Sequence, residues 1–140
     1  MTTGVRSAEQ VITVPIASDR DIFTARRRGC VLAAQLGYSP TDATLIATAI
    51  SELARNIVLY ANRGEIVVTS SGDGRKARIV VVARDEGPGI ADLPRAIAGG
   101  HSASGGLGLG LAGVRRLMDE FEISSEPRKG TTVTVKRWKR

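Results

Sequence analysis

Nine of the sixteen glycines in this 140-residue chain lie between Gly87 and Gly113, and that clustering constrains the fold more than any other feature. Glycine weakens helices and strands but reaches backbone conformations closed to other residues. The stretch GGHSASGG, from Gly99 to Gly106, cannot be the interior of either element. Regular structure must therefore form before it and again after it, with a special backbone between.

The flanking segments bear this out. Residues 10–17 (QVITVPIA) alternate in polarity and predict a strand, with Pro15 placing it at a sheet edge. Asp19 can cap a helix over about 20–36 that Gly37 closes. Ser39-Pro40-Thr41-Asp42 starts a second helix reaching about Ala61, with Asn62 and Gly64 as stop signals. Residues 65–71 and 77–84 predict two strands joined by a turn at Gly72-Asp73-Gly74. A short helix near 92–98, a helix over 107–120 and strands near 121–125 and 131–138 complete the chain, the last two joined by a turn between Pro127 and Gly130. The order β-α-α-β-β-loop-α-β-β predicts one domain over residues 1–140, an α/β (α+β) two-layer sandwich with a mixed, mostly antiparallel sheet and helices on one face.

Composition removes several function classes. Apolar residues make up 42%, enough for one core. Cys30 is the only cysteine and sits among Val31, Leu32 and Ala33, so it reads as a reduced core residue. The first 20 residues carry no secretory pattern, and no apolar run approaches the ~18 residues a membrane span needs. The expected location is the cytoplasm, with no membrane partner. Net charge is +6, with clusters at Arg26-Arg27-Arg28, Arg115-Arg116 and Lys136 to Arg140. Only 4% of residues are aromatic, and within these clusters Trp138 stands alone, too little for a base-stacking surface, so no nucleic-acid partner is expected. The clusters read as a solvated face or as docking points for an acidic protein.

Three segments carry chemistry. On the second helix, Ile46, Ile50, Leu53, Ile57 and Tyr60 form an apolar stripe, and Glu52 and Asn56, four apart, stack at its margin. Arg55 points away from the stripe, toward a partner, a phosphate or solvent. The pair could be an ordinary surface pair, but an Asn oxygen can ligate Mg²⁺ and a Glu can orient or deprotonate an attacking hydroxyl. Next, Asp85-Glu86-Gly87-Pro88-Gly89 follows an apolar strand. Its carboxylate can accept from the exocyclic amine of adenine, and its glycines let a flat ring approach, although Gly-Pro-Gly equally marks a plain turn. Third, the glycine loop feeds a helix N-terminus, whose N–H groups suit a triphosphate. Gly108-Leu-Gly110-Leu-Ala-Gly113 formally matches a dinucleotide fingerprint, but no strand precedes it, and no phosphate loop of the G-x-x-x-x-G-K-[ST] kind occurs. His101, the only histidine, reads as a residue of this lid.

In this order the three segments resemble the GHKL ATPase superfamily of gyrase, histidine kinase and MutL relatives. Glu52–Asn56 matches its N box, Asp85–Gly89 its D-x-G-x-G box and Gly105–Gly110 its glycine-rich box. Gly130-Thr131 matches a Gly-Thr step whose hydroxyl lies near adenine. The resemblance covers nearly the whole chain and implies the Bergerat fold. Within it, ISELARNIVLYA (50–61), SASGGLGLG (102–110) and GVRRLMDEF (113–121) are most similar to the bacterial anti-sigma-type serine kinases, in particular the RsbT-like switch kinases of the stressosome. The resemblance implies a serine/threonine-protein kinase acting on STAS-domain proteins and, when released, activating a PP2C-type phosphatase. It implies Glu52 as general base and Asn56 as Mg²⁺ ligand. The ATP site so implied takes in Asn56, Asp85, Gly87, Gly89, Ser104, Gly105, Gly106, Leu107, Gly108, Leu109, Gly110 and Thr131. Tyr60 stands where sigma-binding relatives carry His, which favours the kinase and makes a sigma-factor partner the less expected one; the alternative is an ATP-binding anti-sigma factor that sequesters a sigma factor. A module that binds ATP without turnover is a third reading, against which Glu52 argues.

Overall fold

The structure, a computed structural model, describes residues 10–72, 76–89 and 110–139. Its elements are β1 (Val11–Ile16), α1 (Asp19–Gln35), α2 (Pro40–Tyr60), β2 (Gly64–Ser71), β3 (Arg78–Asp85), α3 (Gly110–Leu117), β4 (Glu120–Glu126) and β5 (Gly130–Trp138). The five strands form one sheet in the order β1-β2-β3-β5-β4, and every described pairing is antiparallel, where the sequence reading allowed a mixed sheet. The short helix expected near 92–98 and most of the Gly72–Gly74 turn lie outside the described residues.

Local chemistry explains the element ends. Ser39 caps α2, its hydroxyl accepting from the Asp42 N–H at 3.1 Å, and Pro40 occupies the first turn. The cap of α1 is Ser18, not Asp19 as expected: Asp21, three residues on, accepts from the backbone N–H groups of Ala17 and Ser18. A capping residue followed by an acid at the third helical position satisfies orphan donors that Asp19 alone would leave. Gly37 ends α1 with φ +88°. α3 stops at Leu117, three residues before the expected end, because strand β4 begins at Glu120. Pro15 lies on edge strand β1. The Gln10 carbonyl accepts from Ser70, so alternation turns the nitrogen of Pro15 to the free edge, where no donor is required.

The core fills the space between one sheet face and the helices. Val14, Ile16, Ile66, Val68, Ile79, Val81, Val133 and Val135 meet Leu32 of α1, Ile46, Ile50, Leu53 and Ile57 of α2, and Val114 of α3. Burying each large side chain contributes about 1.5–3 kcal/mol, against ~1 kcal/mol for a cap. Packing rather than capping therefore places α2. Gly29 of α1 lets the helices close up, since a Cβ there would strike the Ile50 side chain. Tyr60, expected in the apolar stripe, is instead 44% exposed. Cys30 is half-buried against the core. A second tie crosses three elements: Arg137 of β5 donates to the Leu117 carbonyl at the end of α3 (2.6 Å) and to Asp42 of α2 (2.7 Å). Its own carbonyl accepts from the Tyr38 hydroxyl at 2.8 Å.

Candidate functional site

Among the described residues, the buried polar or charged side chains are Ser70 and Glu52 of α2, the latter 7% exposed. Burying a carboxylate is costly unless it is served by donors. One Glu52 oxygen accepts from the backbone N–H of Gly110, the first residue of α3, at 3.3 Å. The other lies 3.8 Å from Nε of Arg55. That Nε is itself buried and makes no hydrogen bond, while the Arg55 side chain is 41% exposed overall. Arg55 thus reaches back over Glu52 rather than standing wholly in solvent. Asn56, half-buried, lies four residues after Glu52 on the same helix face.

The other half of the site is built on sheet backbone. Asp85 ends β3 between Gly64 of β2 and Thr131 of β5, its direct cross-strand partners. Its Oδ1 accepts from the Gly87 N–H at 2.8 Å. A carboxylate offers about four acceptor positions, so capacity remains for an exocyclic amine. The Thr131 hydroxyl lies 2.8 Å from that of Ser125. Gly87 abuts the last residue of α2's cap, Ala61; a Cβ there would come within 2.6 Å of the Ala61 side chain. Gly89, at φ +80°, lies against the Glu126 carbonyl, and the Arg128 N–H donates to the Pro88 carbonyl at 2.7 Å. Gly130, at φ +86°, lies against the Asp85 carbonyl.

The Ala61–Gly87 contact joins the halves. Asn56 precedes Ala61 by five residues, about 7.5 Å of helix rise. One end of α2 thus meets the turn that carries Asp85, while its middle holds the start of α3. Ser104, Gly105, Gly106, Leu107, Gly108 and Leu109, with His101, lie outside the described residues; Gly110 is the point where that segment returns. Ser125, Gly64 and the Glu52–Gly110 bond escaped sequence reasoning. Only the strand register could have singled out the first two, since both sit at the Asp85 end of the sheet.

The donor set suits a hard cation bound largely by phosphate. Among the described residues no cluster of three His, Cys, Asp or Glu exists. Mg²⁺ is commonly held by one or two protein oxygens, with water and phosphate completing its shell. Asn56 beside a carboxylate fits that pattern.

Residues 41–140 match the family described as histidine kinase-, DNA gyrase B- and HSP90-like ATPase. The chain belongs to this family. It is 46% identical over 127 residues to the serine/threonine-protein kinase RsbT of Bacillus subtilis, covering 91% of this chain and 96% of that one, and so belongs with the RsbT-type protein kinases. It is 32% identical over 120 residues to the anti-sigma F factor of Thermoanaerobacter sp., covering 81% and 82% of the two chains. The crystal structure of the RsbU and RsbW domains of Rv1364c from Mycobacterium tuberculosis superposes with a TM-score of 0.60 at 27% identity. That match covers 94% of this chain and about a third, 32%, of the other. The domain is thus an ATP-binding one of this family. Among the described residues, no helix is long and apolar enough to cross a membrane.

Proposed function

We propose that the chain acts as one cytoplasmic kinase domain that transfers the γ-phosphoryl group of ATP to a Ser or Thr hydroxyl of a STAS-domain partner. Glu52 takes the proton as the hydroxyl oxygen bonds to the γ-phosphorus; the bond from that phosphorus to the bridging oxygen breaks, and ADP leaves with the electron pair. Asn56 holds Mg²⁺, which supplies charge neutralisation at the phosphates. Asp85 accepts from the adenine amine, Gly87 and Gly89 form the floor beneath the ring, and Thr131 stands at its edge. Ser104 and Gly105 to Gly110 wrap the phosphates, and Arg55 is placed to meet phosphate or partner. Phosphoryl transfer rests mainly on positioning and charge neutralisation, so few catalytic groups suffice.

The observation that carries this reading is the buried Glu52 one turn from Asn56, with the Gly110 N–H at the start of α3 donating to its carboxylate. Binding nucleotide alone would not require a buried carboxylate there. A PP2C-type phosphatase is the proposed target of the kinase once its STAS partner is modified. The second reading, an anti-sigma factor that sequesters a sigma factor, draws on the anti-sigma F relatives. Tyr60, in place of His, weighs against it.

The test is incubation with γ-labelled ATP, Mg²⁺ and STAS-domain proteins. Label is expected on a STAS Ser or Thr with the wild type. With Glu52→Ala, transfer should fall by at least about 100-fold while nucleotide still binds. With Asn56→Ala, Mg²⁺-dependent nucleotide binding should disappear in calorimetry. No label on any STAS protein, with tight sigma-factor binding instead, would establish the second reading.

A further inference from the structure

Away from the nucleotide site, β1 is an edge strand with α1 packed over it. Between them opens a groove of about 180 Å³ lined by Ile12, Arg27, Arg28, Val31, Leu32 and Gln35. The hydrogen-bonding alternation that directs Gln10 to β2 leaves the N–H and C=O groups of Val11 and Thr13 facing outward. Such an edge is a template for another strand. Pro15, lacking an N–H, ends the template on one side. The α1 surface is unusually apolar, Val31 being 49% exposed and Phe23 68%, while Val11, 65% exposed, offers an apolar side chain on the other face of the edge strand. Phe23, Arg27 and Val31 follow one another at four-residue steps along α1, forming one stripe beside the groove. No ion pair among the described residues engages Arg26, Arg27 or Arg28.

We infer that this edge docks an extended, acidic segment of a partner protein by strand addition. Main-chain bonds to Val11 and Thr13 supply affinity, and alternate side chains enter the groove. Those side chains meet an apolar floor at Ile12 and Leu32 and two arginines above it, which selects an acid–apolar alternation. A second copy fits less well. Arg27 is the middle residue of the 17-residue α1. A second copy would bring the same Arg26-Arg27-Arg28 run toward this edge rather than an acidic segment.

The probe is a blocked heptapeptide with glutamate and valine at alternate positions and threonine between, compared with its lysine counterpart. The readout is amide hydrogen exchange at Val11 and Thr13, which involves no phosphoryl transfer and so does not depend on the proposed function. With the glutamate peptide at roughly ten times its Kd, exchange at both amides should slow about ten-fold, and with the lysine peptide it should not change. The exposed double variant Arg27→Glu/Arg28→Glu should reverse that preference. Thr13→Pro, which removes an outward N–H without touching the charge, should abolish protection. Equal protection by both peptides, protection that survives Thr13→Pro, or no protection by the glutamate peptide overturns the inference. So do Val11 and Thr13 amides already protected in the free protein together with a doubled mass, which would assign the edge to a second copy.

Discussion

The two halves of the nucleotide site use glycine for opposite reasons. At the sheet end, Gly87, Gly89 and Gly130 stand where a Cβ would strike Ala61, Glu126 and the Asp85 carbonyl. At the helix end, Gly110 has φ +67°, and nothing among the described residues lies within 4 Å of a Cβ built on it. The sheet glycines are held by close packing; Gly110 is required only by its backbone angle. The two ends of α3 repeat the contrast. Its last turn is gripped by Arg137 at 2.6 Å, whereas its first residue is held by one 3.3 Å bond to Glu52. The half proposed to read the base is fixed by packing, and the half proposed to face the phosphates is tied at Gly110 by a longer bond.

The sharpest way to break that contrast is Gly130→Ala. It adds a positive-φ penalty of about 1–2 kcal/mol to a main-chain collision that no rotamer can relieve. A loss of at least about 3 kcal/mol in denaturant unfolding is expected, with nucleotide affinity falling in parallel. A near-neutral result would mean that the β3–β5 end yields, and that the sheet half is not the rigid one. Asp42→Ala comes next. It leaves the Arg137 guanidinium, whose side chain is 13% exposed, without its ion-pair partner. Breaking a fully buried pair costs about 3–5 kcal/mol, and this partly exposed one should cost about 2–3.

Gly110→Ala should cost only about 1–2 kcal/mol, the left-handed penalty alone, because no described atom blocks the Cβ and the N–H to Glu52 is retained. Its larger effect should be on phosphoryl transfer in the labelled-ATP assay, since the strain sits at the lid joint. Equal stability losses for Gly110→Ala and Gly130→Ala would erase the distinction between the halves.

The same contrast marks what the sequence could reveal. Short-range features were legible: Ser39-Pro40-Asp42 starting α2, Gly37 ending α1, Pro15 on an edge. Each depends on chemistry within a few residues. Ser18 and Asp19 are both good caps side by side, and only the reach of Asp21 back to Ser18 decides between them. Tyr60 continued the apolar period, but periodicity marks a face without saying how far the neighbouring layer extends beneath it. The closeness of Asp85 and Thr131 follows from register between strands 46 residues apart in sequence. The Glu52–Gly110 bond, across 58 residues, has no local signature at all. Glu52 and Asn56 could be paired by helical spacing, but the burial of Glu52 beside the start of α3 is a property of the assembled fold.

The smallest expected effect lies at the gripped end of α3, where Tyr38 supports Arg137 through its hydroxyl. Burial raises the Tyr38 pKa from 10.0 to about 12, although the nearby Arg137 charge pulls the other way. Below pH 10 the folded and unfolded chains both keep this proton, and the group adds no slope. Above pH 10 the unfolded chain releases it while the folded chain retains it, so unfolding is favoured and stability falls until about pH 12. Tyr38→Phe should therefore lie below the wild type at neutral pH, by about 1 kcal/mol for the lost hydrogen bond to the Arg137 carbonyl. The gap should narrow between pH 10 and 12, because only the wild type has this tyrosine to ionise. Parallel stability curves for the two proteins across that range would show that the Tyr38 hydroxyl titrates alike in both states, and that the C-terminal grip on α3 is looser than its geometry implies.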